Sequence, residues 1–592
     1  MKFNLKQFMM KGQTMLQASA GNRPLPIPPT FPVAWDDPGD VELLWGYSPA
    51  YYPKPLLPLE FAVGALPPLV AGNRVLARYG VPVETQTRLI NGYPYSANRW
   101  LGAPPMTGER GAGEWGERET IALIRQLRQR WEEEWLPEIK SHLTAWQAVD
   151  FSGAPWPALL TQLDESMARV DRLQELHIEV GLIFFIAIQH FESWLQNIFV
   201  SATGEKVDAY TLLAGFESTG AQSSQTLWQL SRSALMQPEV YWVLRECPPA
   251  QALTALQDSD EGQEFFAELQ SYLQAYGYQG DKNYLSHPTW QEEPTPVLHI
   301  LRGYLAQSTR NLADDLHATA TRREAALATV RVRLAALPNV DCEHFEFLLK
   351  CAQEATWLRE EHPHWLDLRI YATIRHNLVA VGQRFVQAGL LAAPADIFYL
   401  TLDEVRATLR HSTARQELVV QRRALYQQYA AYTPPTLLGS IPAQPMPNHP
   451  LLAAMAQNSA ELPVTGPTPR ANGPTAPALP AAPGQTLRGH AASAGCVRGR
   501  ARLLASPAEA GRLHVGDILV TVNTTPSWTS LYANIAGLVT DAGGILSHAA
   551  VVAREFGIPA VVGTRAATTL IKEGQLIEVN GSEGVVKLME SR

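Results

Sequence analysis

One histidine holds the most specific chemistry this sequence offers. His548 follows the run Thr540-Asp541-Ala542-Gly543-Gly544-Ile545-Leu546-Ser547 and opens a stretch of small residues that includes Ala549, Ala550 and Ala553. Imidazole is nucleophilic while neutral at pH 7 and releases a phosphoryl group readily, which suits it to covalent carriage. A helix starting at this residue turns unpaired N–H groups and the positive end of its dipole toward a phosphoryl anion. Ser547 suits the N-cap, and Gly543 and Gly544 let backbone approach the anion. The alanines keep the helix narrow where a donor or acceptor must dock. A histidine that only caps or packs a helix start is the competing reading; the surrounding pattern favours a phosphohistidine carrier.

A carrier needs an acceptor site. Transfer to a hydroxyl requires a base for its proton and cations to bear phosphoryl charge. The densest group of both is Arg359-Glu360-Glu361-His362-Pro363-His364-Trp365-Leu366-Asp367-Leu368-Arg369, followed by Arg375 and His376. Arg359, His364, Arg369 and Arg375 are the candidates within it. On one straight helix His364, Arg369 and Arg375 do not share a face, so a bend is required, and Pro363 is placed to begin a new helix. A solvated, salt-bridged helix start is the alternative for this segment. His190, just after the apolar run 182–188, is a further candidate; a core histidine with its bonds satisfied is the plainer reading there. The four cysteines, Cys247, Cys342, Cys351 and Cys496, lack metal-ligand spacing, so no metal site is expected.

The elements that must position these residues divide the 592-residue chain into several domains. Residues 1–105 are rich in Pro, Gly and aromatics and read as irregular structure with short strands, folded onto a larger neighbour. Residues 106–432 carry apolar residues at three- and four-residue spacing, which predicts long helices, the most apolar of them spanning 159–200. Residues 433–486 shift to Pro, Ala, Gly and Thr with almost no charge, the composition of an extended linker that could swing its cargo. Residues 487–592 alternate short β-rich runs with turns and one helix at 548–556, a compact α/β domain. The fold class expected is a large, mainly α-helical module followed by a C-terminal α/β domain. Hydrophobic residues make up 46% and charged residues 18%, with a net charge of -9, the make-up of an ordinary globular chain. No basic run is present to neutralise phosphates, which argues against nucleic acid as a partner. The longest unbroken apolar stretch, 180–188, falls short of the roughly 20 residues that span a bilayer. A cytoplasmic location is expected.

The pattern T-x-x-G-G-x-x-S-H-x-A is met at Thr540, Gly543, Gly544, Ser547, His548 and Ala550, followed by Gly557-Ile558-Pro559-Ala560-Val561. Upstream, Ser493-Ala494-Gly495, Gly499-Arg500-Ala501 and Thr524-Thr525-Pro526-Ser527-Trp528-Thr529 complete it. The segment resembles the swivelling phosphohistidine domain of the phosphoenolpyruvate-utilising enzymes, which include phosphoenolpyruvate synthases, pyruvate phosphate dikinases and rifampicin phosphotransferases. The resemblance implies a β/α sandwich in which His548 carries the phosphoryl group and Thr540 fixes its ring by a hydrogen bond.

More loosely, residues 52–59, 90–95 and 382–400 resemble the helical acceptor-binding region of rifampicin phosphotransferases. Arg359 and Glu360 are similar to the start of an Arg-Glu-x-Pro-Lys pattern there, with one extra residue and His364 in place of the lysine. Neither an ATP-grasp domain nor a phosphoenolpyruvate-binding barrel is visible in this sequence. The resemblance therefore implies charging from ATP and Mg²⁺ on a separate ATP-grasp protein, in dikinase-like fashion. That arrangement is similar to the large subunit of phenylphosphate synthase, and it points to a small organic hydroxyl acceptor, phenols among them. The alternatives are transfer to an oxoacid, as in phosphoenolpyruvate synthase, or a non-catalytic binding protein regulated by phosphorylation of His548.

Overall fold

The computed structural model describes residues 23–101, 117–205, 207–280, 284–307, 311–443 and 486–589. The fold class is the expected one: a large helical module, then an α/β domain. Helix α1, Leu66–Arg78, packs along helix α2, Trp156–Thr203, whose 48 residues form the axis of the largest core. Residues 180–188 of α2 are apolar on every side and all buried, as a helix surrounded by protein must be. By length and composition α2 would suffice to cross a bilayer; here its apolar segment is enclosed by the module. Gly204, at φ 72°, ends the helix and returns its N–H to the Val200 carbonyl, the left-handed cap that glycine adopts without strain.

After α2 come helices α3, Thr219–Leu235, α4, Asp260–Tyr276, α5, Thr295–Leu305, and α6, Leu312–Ala335. Helix α7, Cys342–Pro363, is started by Asp341, whose carboxylate accepts the His344 N–H at 2.9 Å. Pro363 does not start a fresh helix. It lacks an N–H to return to the Arg359 carbonyl, and its ring crowds that carbonyl. The chain answers with a wide turn of i→i+5 type over His364–Arg369 and then runs on as helix α8, Ile370–Gln387. Wide turns of this kind absorb an additional residue in a helix, which fits the extra residue in this segment.

The N-terminal part is more regular than its composition suggests. Strands β3, Val83–Ile90, and β4, Tyr93–Trp100, form a hairpin paired along its whole length. Asn91 and Gly92 turn it with φ 48° and 78°, the signature of a two-residue Asn-Gly turn. With β1, Arg23–Pro24, β2, Leu44–Gly46, and β5, Leu437–Ile441, they make an antiparallel sheet in the order β1-β5-β2-β4-β3. Strand β5 lies inside the span 433–486 expected to be linker, and that expectation is corrected for it. Gly439 (φ 82°) sits against the Leu43 carbonyl, where a Cβ would collide, so low side-chain bulk here serves close pairing rather than looseness. The rest of the expected linker, 444–485, lies outside the described residues.

The C-terminal domain is built on a mixed sheet of order β6-β13-β12-β8-β9-β10-β11-β7. Its strands are β6, Thr486–Arg488, β7, His490–Ser493, β8, Cys496–Leu503, β9, Asp517–Thr521, β10, Ile535–Thr540, β11, Ala560–Val562, β12, Leu576–Asn580, and β13, Val585–Leu588. One side of the domain has a core of its own that includes Ile518, Val539 and Ile577. The other carries helix α9, His548–Glu555, and shares a core with helices α3 to α5. Trp528, Leu531, Tyr532 and Phe556 there meet Trp228, Leu301 and Tyr304 of the helical module. Tyr304 also donates its hydroxyl to the Ser530 carbonyl at 2.7 Å, and Gln307 bonds Asn534 at 2.7 Å.

Candidate functional site

His548 sits where the sequence places it, at the first position of α9. Ser547 is the N-cap, its hydroxyl accepting the Ala550 N–H at 3.3 Å. Gly543 takes φ 101°, and a Cβ on it would press the Ser547 side chain at 2.8 Å, so this bend requires glycine. Gly544 has open space around its Cα. The imidazole is held at both nitrogens: Nδ1 lies 3.2 Å from the Thr524 hydroxyl and Nε2 3.3 Å from the Thr529 hydroxyl. Thr524 is in turn 2.9 Å from the Tyr532 hydroxyl, and the Tyr532 ring meets the imidazole edge-on at 6.3 Å. Thr540 does not take the ring-fixing part expected of it. Its hydroxyl donates to the Ala542 carbonyl at 2.7 Å, so its one proton shapes the glycine loop, and the threonines at 524 and 529 hold the ring instead.

His548 opens into a cavity of about 380 Å³ between the α/β domain and the helical module. On the near side are Thr524, Gly543, Gly544 and Ser547; on the far side Leu69, Leu76, Ile178, Leu182, Phe184 and Phe185 make an apolar wall. His177, Arg359, Glu360, His362 and Asp367 of the helices interrupt it, and Tyr51 and Tyr52 line it from the N-terminal part. Arg359 is 8% exposed, its guanidinium is 5.7 Å from the Phe185 ring centre, and its Nη1 has no hydrogen-bond partner among the described residues. Burial lowers its pKa to about 10, which Glu360 partly offsets, so it stays cationic at neutral pH. Glu360 is pushed up by burial and pulled back by Arg359 and Arg554. Buried cationic charge bordering a largely apolar space is the environment in which a phosphoryl anion is stabilised most.

The other acceptor candidates are not brought together. His364 stacks edge-on with Trp365 at 5.3 Å and lies 6.4 Å from Tyr276, outside the cavity lining. Burial, helped by Arg369, lowers its pKa to about 3, so the ring is neutral. Arg369 lies 4.6 Å from both the Tyr278 and Trp365 ring centres. Arg375 is tied to Glu292 at 2.8 Å and to the Leu285 carbonyl at 2.6 Å. His190 is half-buried near Glu117 and His344, with burial lowering its pKa. None of these four lines the cavity that His548 opens into; positions 364, 369 and 375 follow the wide turn past Pro363, and His190 lies beyond the lining part of α2. The groups the candidate list missed are His177, Glu360, His362 and Asp367. A signal for His177 was present: it precedes Gly181 and Phe184 by four and seven residues, one face of α2.

A histidine at a helix start on a mixed α/β domain, facing an apolar cavity walled by a separate helical module, defines a carrier-and-acceptor architecture. Residues 513–584 match the PEP-utilising enzyme mobile domain, and residues 183–360 match the rifampicin phosphotransferase fourth domain. The C-terminal unit thus matches the mobile domain of the PEP-utilising enzymes, and part of the helical module matches a rifampicin phosphotransferase domain. The chain is 35% identical over 575 residues to chondramide synthase cmdD of Chondromyces crocatus, covering 95% of this chain and 14% of that protein. It is 30% identical over 404 residues to a rifampicin phosphotransferase of Streptomyces sviceus, covering 67% of this chain and 43% of the relative. It is also 26% identical over 472 residues to the uncharacterized phosphotransferase YvkC of Bacillus subtilis, covering 77% and 53%. The chain therefore spans only a part of each of these relatives.

Proposed function

We propose that the protein is a phosphotransferase. His548 accepts a phosphoryl group, charged from ATP by a separate ATP-grasp protein, and passes it to the hydroxyl of a small, largely apolar organic acceptor, phenols included. One observation carries this reading: the helix-start histidine and the buried Arg359 border the same apolar cavity. The cavity volume falls in the range of small-molecule sites. The match to the mobile domain and the relatives named as phosphotransferases support the same class of reaction.

The residues suggest how transfer works. The Thr529 hydroxyl gives its proton to the Pro526 carbonyl at 2.8 Å, so toward the ring it accepts from Nε2–H, and the lone pair of the neutral ring is on Nδ1, beside the Thr524 hydroxyl. The phosphoryl group then sits near the α9 N-terminus, where free N–H groups favour its charge, and Arg359 adds a cation. The apolar wall favours an apolar acceptor over water beside His548. Mg²⁺ belongs to the charging step on the partner, where it would shield the phosphates of ATP. Among the described residues no cluster of three His, Cys, Asp or Glu side chains is arranged to hold an ion. A cytoplasmic location, where ATP is at hand, is part of the proposal.

The test is phosphoryl loading. The chain and its His548→Ala variant are incubated with labelled ATP, Mg²⁺ and an ATP-grasp partner. Acid-labile, alkali-stable label on the wild type alone is the expected result. Equal absence of label on both, with a partner that loads a control carrier, would remove the basis of the proposal.

A further inference from the structure

We propose that His362 is the base that takes the acceptor's hydroxyl proton, with His177 and Asp367 as positioning residues behind it. This rests on the reading of His548 as the phosphoryl carrier. His362 is 5% exposed and lines the cavity opposite His548. Its Nδ1 lies 3.0 Å from the Leu358 carbonyl. A carbonyl oxygen only accepts, so Nδ1 carries the proton and the basic lone pair of the neutral ring is on Nε2. The ring is wedged between Phe184 and His177, with centroids 5.1 and 5.2 Å away. His177 Nε2 is 3.7 Å from an Asp367 carboxylate oxygen, and Asp367 is itself 5% exposed.

The wide turn explains how these groups meet. Positions 362 and 367 lie roughly 140° apart around a regular α-helix. The i→i+5 turn over His364–Arg369 brings them toward one side, and both then border the cavity. The same turn removes His364, the base expected from sequence, to the far side. The charged and titratable groups around His362 in this cavity are Arg359, Glu360, His177, Asp367 and His548, with Tyr51 and Tyr52 from the N-terminal part. Arg359 stays protonated and bears phosphoryl charge. The buried carboxyl of Asp367 lies beside His177 and offsets the positive charge that arises when His362 is protonated.

The step balances as follows. The acceptor O–H proton goes to Nε2 of His362 while the oxygen forms a bond to phosphorus. The P–N bond to His548 breaks, and its electron pair returns to the ring nitrogen. His362 later gives its proton to solvent. Water in the acceptor position undergoes the same step, which provides a readout without knowledge of the natural acceptor.

The experiment uses the full chain, loaded at His548 with phosphoramidate as a small phosphoryl donor. Loss of the phosphoryl group is followed by ³¹P NMR from about pH 5 to 8, where a histidine base changes charge, in buffer alone and with phenol as probe acceptor. Expected is equal loading of wild type and His362→Gln, with transfer from the variant slowed about 10²-fold or more and the acid limb of the pH profile flattened. Asp367→Asn is expected to keep the limb but displace it. An unchanged rate and limb in His362→Gln would overturn the proposal, as would a wild-type phosphohistidine that decays no faster than in the denatured chain. Failure of wild type to load at all would instead count against His548 as carrier.

Discussion

At the scale of single residues, the carrier is the legible part and the acceptor side is not. His548, Ser547 and Gly543 are bound to each other by local backbone geometry, so a short pattern is enough to find them. The ring's partners, Thr524 and Thr529, approach from another segment, and only the fold could show that Thr540 is not one of them. Arg359 gives a residue-scale prediction. A buried guanidinium with an unmatched nitrogen costs stability, while a cation beside the phosphoryl group aids transfer. Arg359→Met should slow transfer from loaded His548 by about 10²–10³-fold while raising the thermal unfolding midpoint. A lower midpoint with unchanged transfer would make Arg359 a packing residue instead.

At the scale of elements, periodicity predicts the helices well because their apolar stripes follow 3.6 residues per turn. It does not predict the wide turn after Pro363, where one added residue is absorbed without a break in the helix. A regular helix would leave His364 and Arg369 as the natural candidates; the turn puts His362 and Asp367 on the cavity instead. The hairpin of β3 and β4 carried its Asn-Gly signal openly, yet a Pro- and Gly-rich background obscured it. Helix α9 supplies a prediction of pH dependence. At its end, Glu555 accepts the Gly215 N–H at 2.9 Å, which seats the helix on the module. Burial raises its pKa from 4.5 to about 8, against the pull of Gly215 and Arg554. The folded state thus holds a proton that the unfolded chain releases above its ordinary pKa, so this group's contribution to stability declines as pH rises across that window. Glu555→Gln keeps the acceptor oxygen and removes the titration. Its stability advantage over wild type should grow on the order of 1.4 kcal/mol per pH unit between about 4.5 and 8 and then level off; a constant difference in urea midpoints across that range would contradict it.

At the scale of the whole molecule, composition marks a helical module and an α/β domain, and the structure agrees. What composition does not show is that the two share a common apolar core under α9, and that β5, beyond the helices, closes back into the N-terminal sheet. Long-range pairing of this kind leaves no local trace in sequence. The core makes a prediction of cooperativity. Leu301, fully buried there, belongs to the helical module, yet Leu301→Ala should destabilise the α/β domain as well. The expected cost is about 2–5 kcal/mol, seen by hydrogen exchange as earlier opening of both α5 and β10. Opening confined to α5 would show that the two fold independently.

That common core also decides what can travel. Uncovering Trp528, Leu531 and Tyr532 would wet large apolar side chains, at about 1.5–3 kcal/mol for each. Their seat, α3 to α5 with the connections between them, is itself fixed to the rest of the module: Thr219 bonds Glu361, Ser286 bonds the buried Glu60, Glu292 pairs with the buried Arg375, and Leu285 is packed in the main core. Any swing of His548 away from the cavity has to unseat Trp528, Leu531 and Tyr532 from α3 to α5, so the apolar seat sets the cost of the movement.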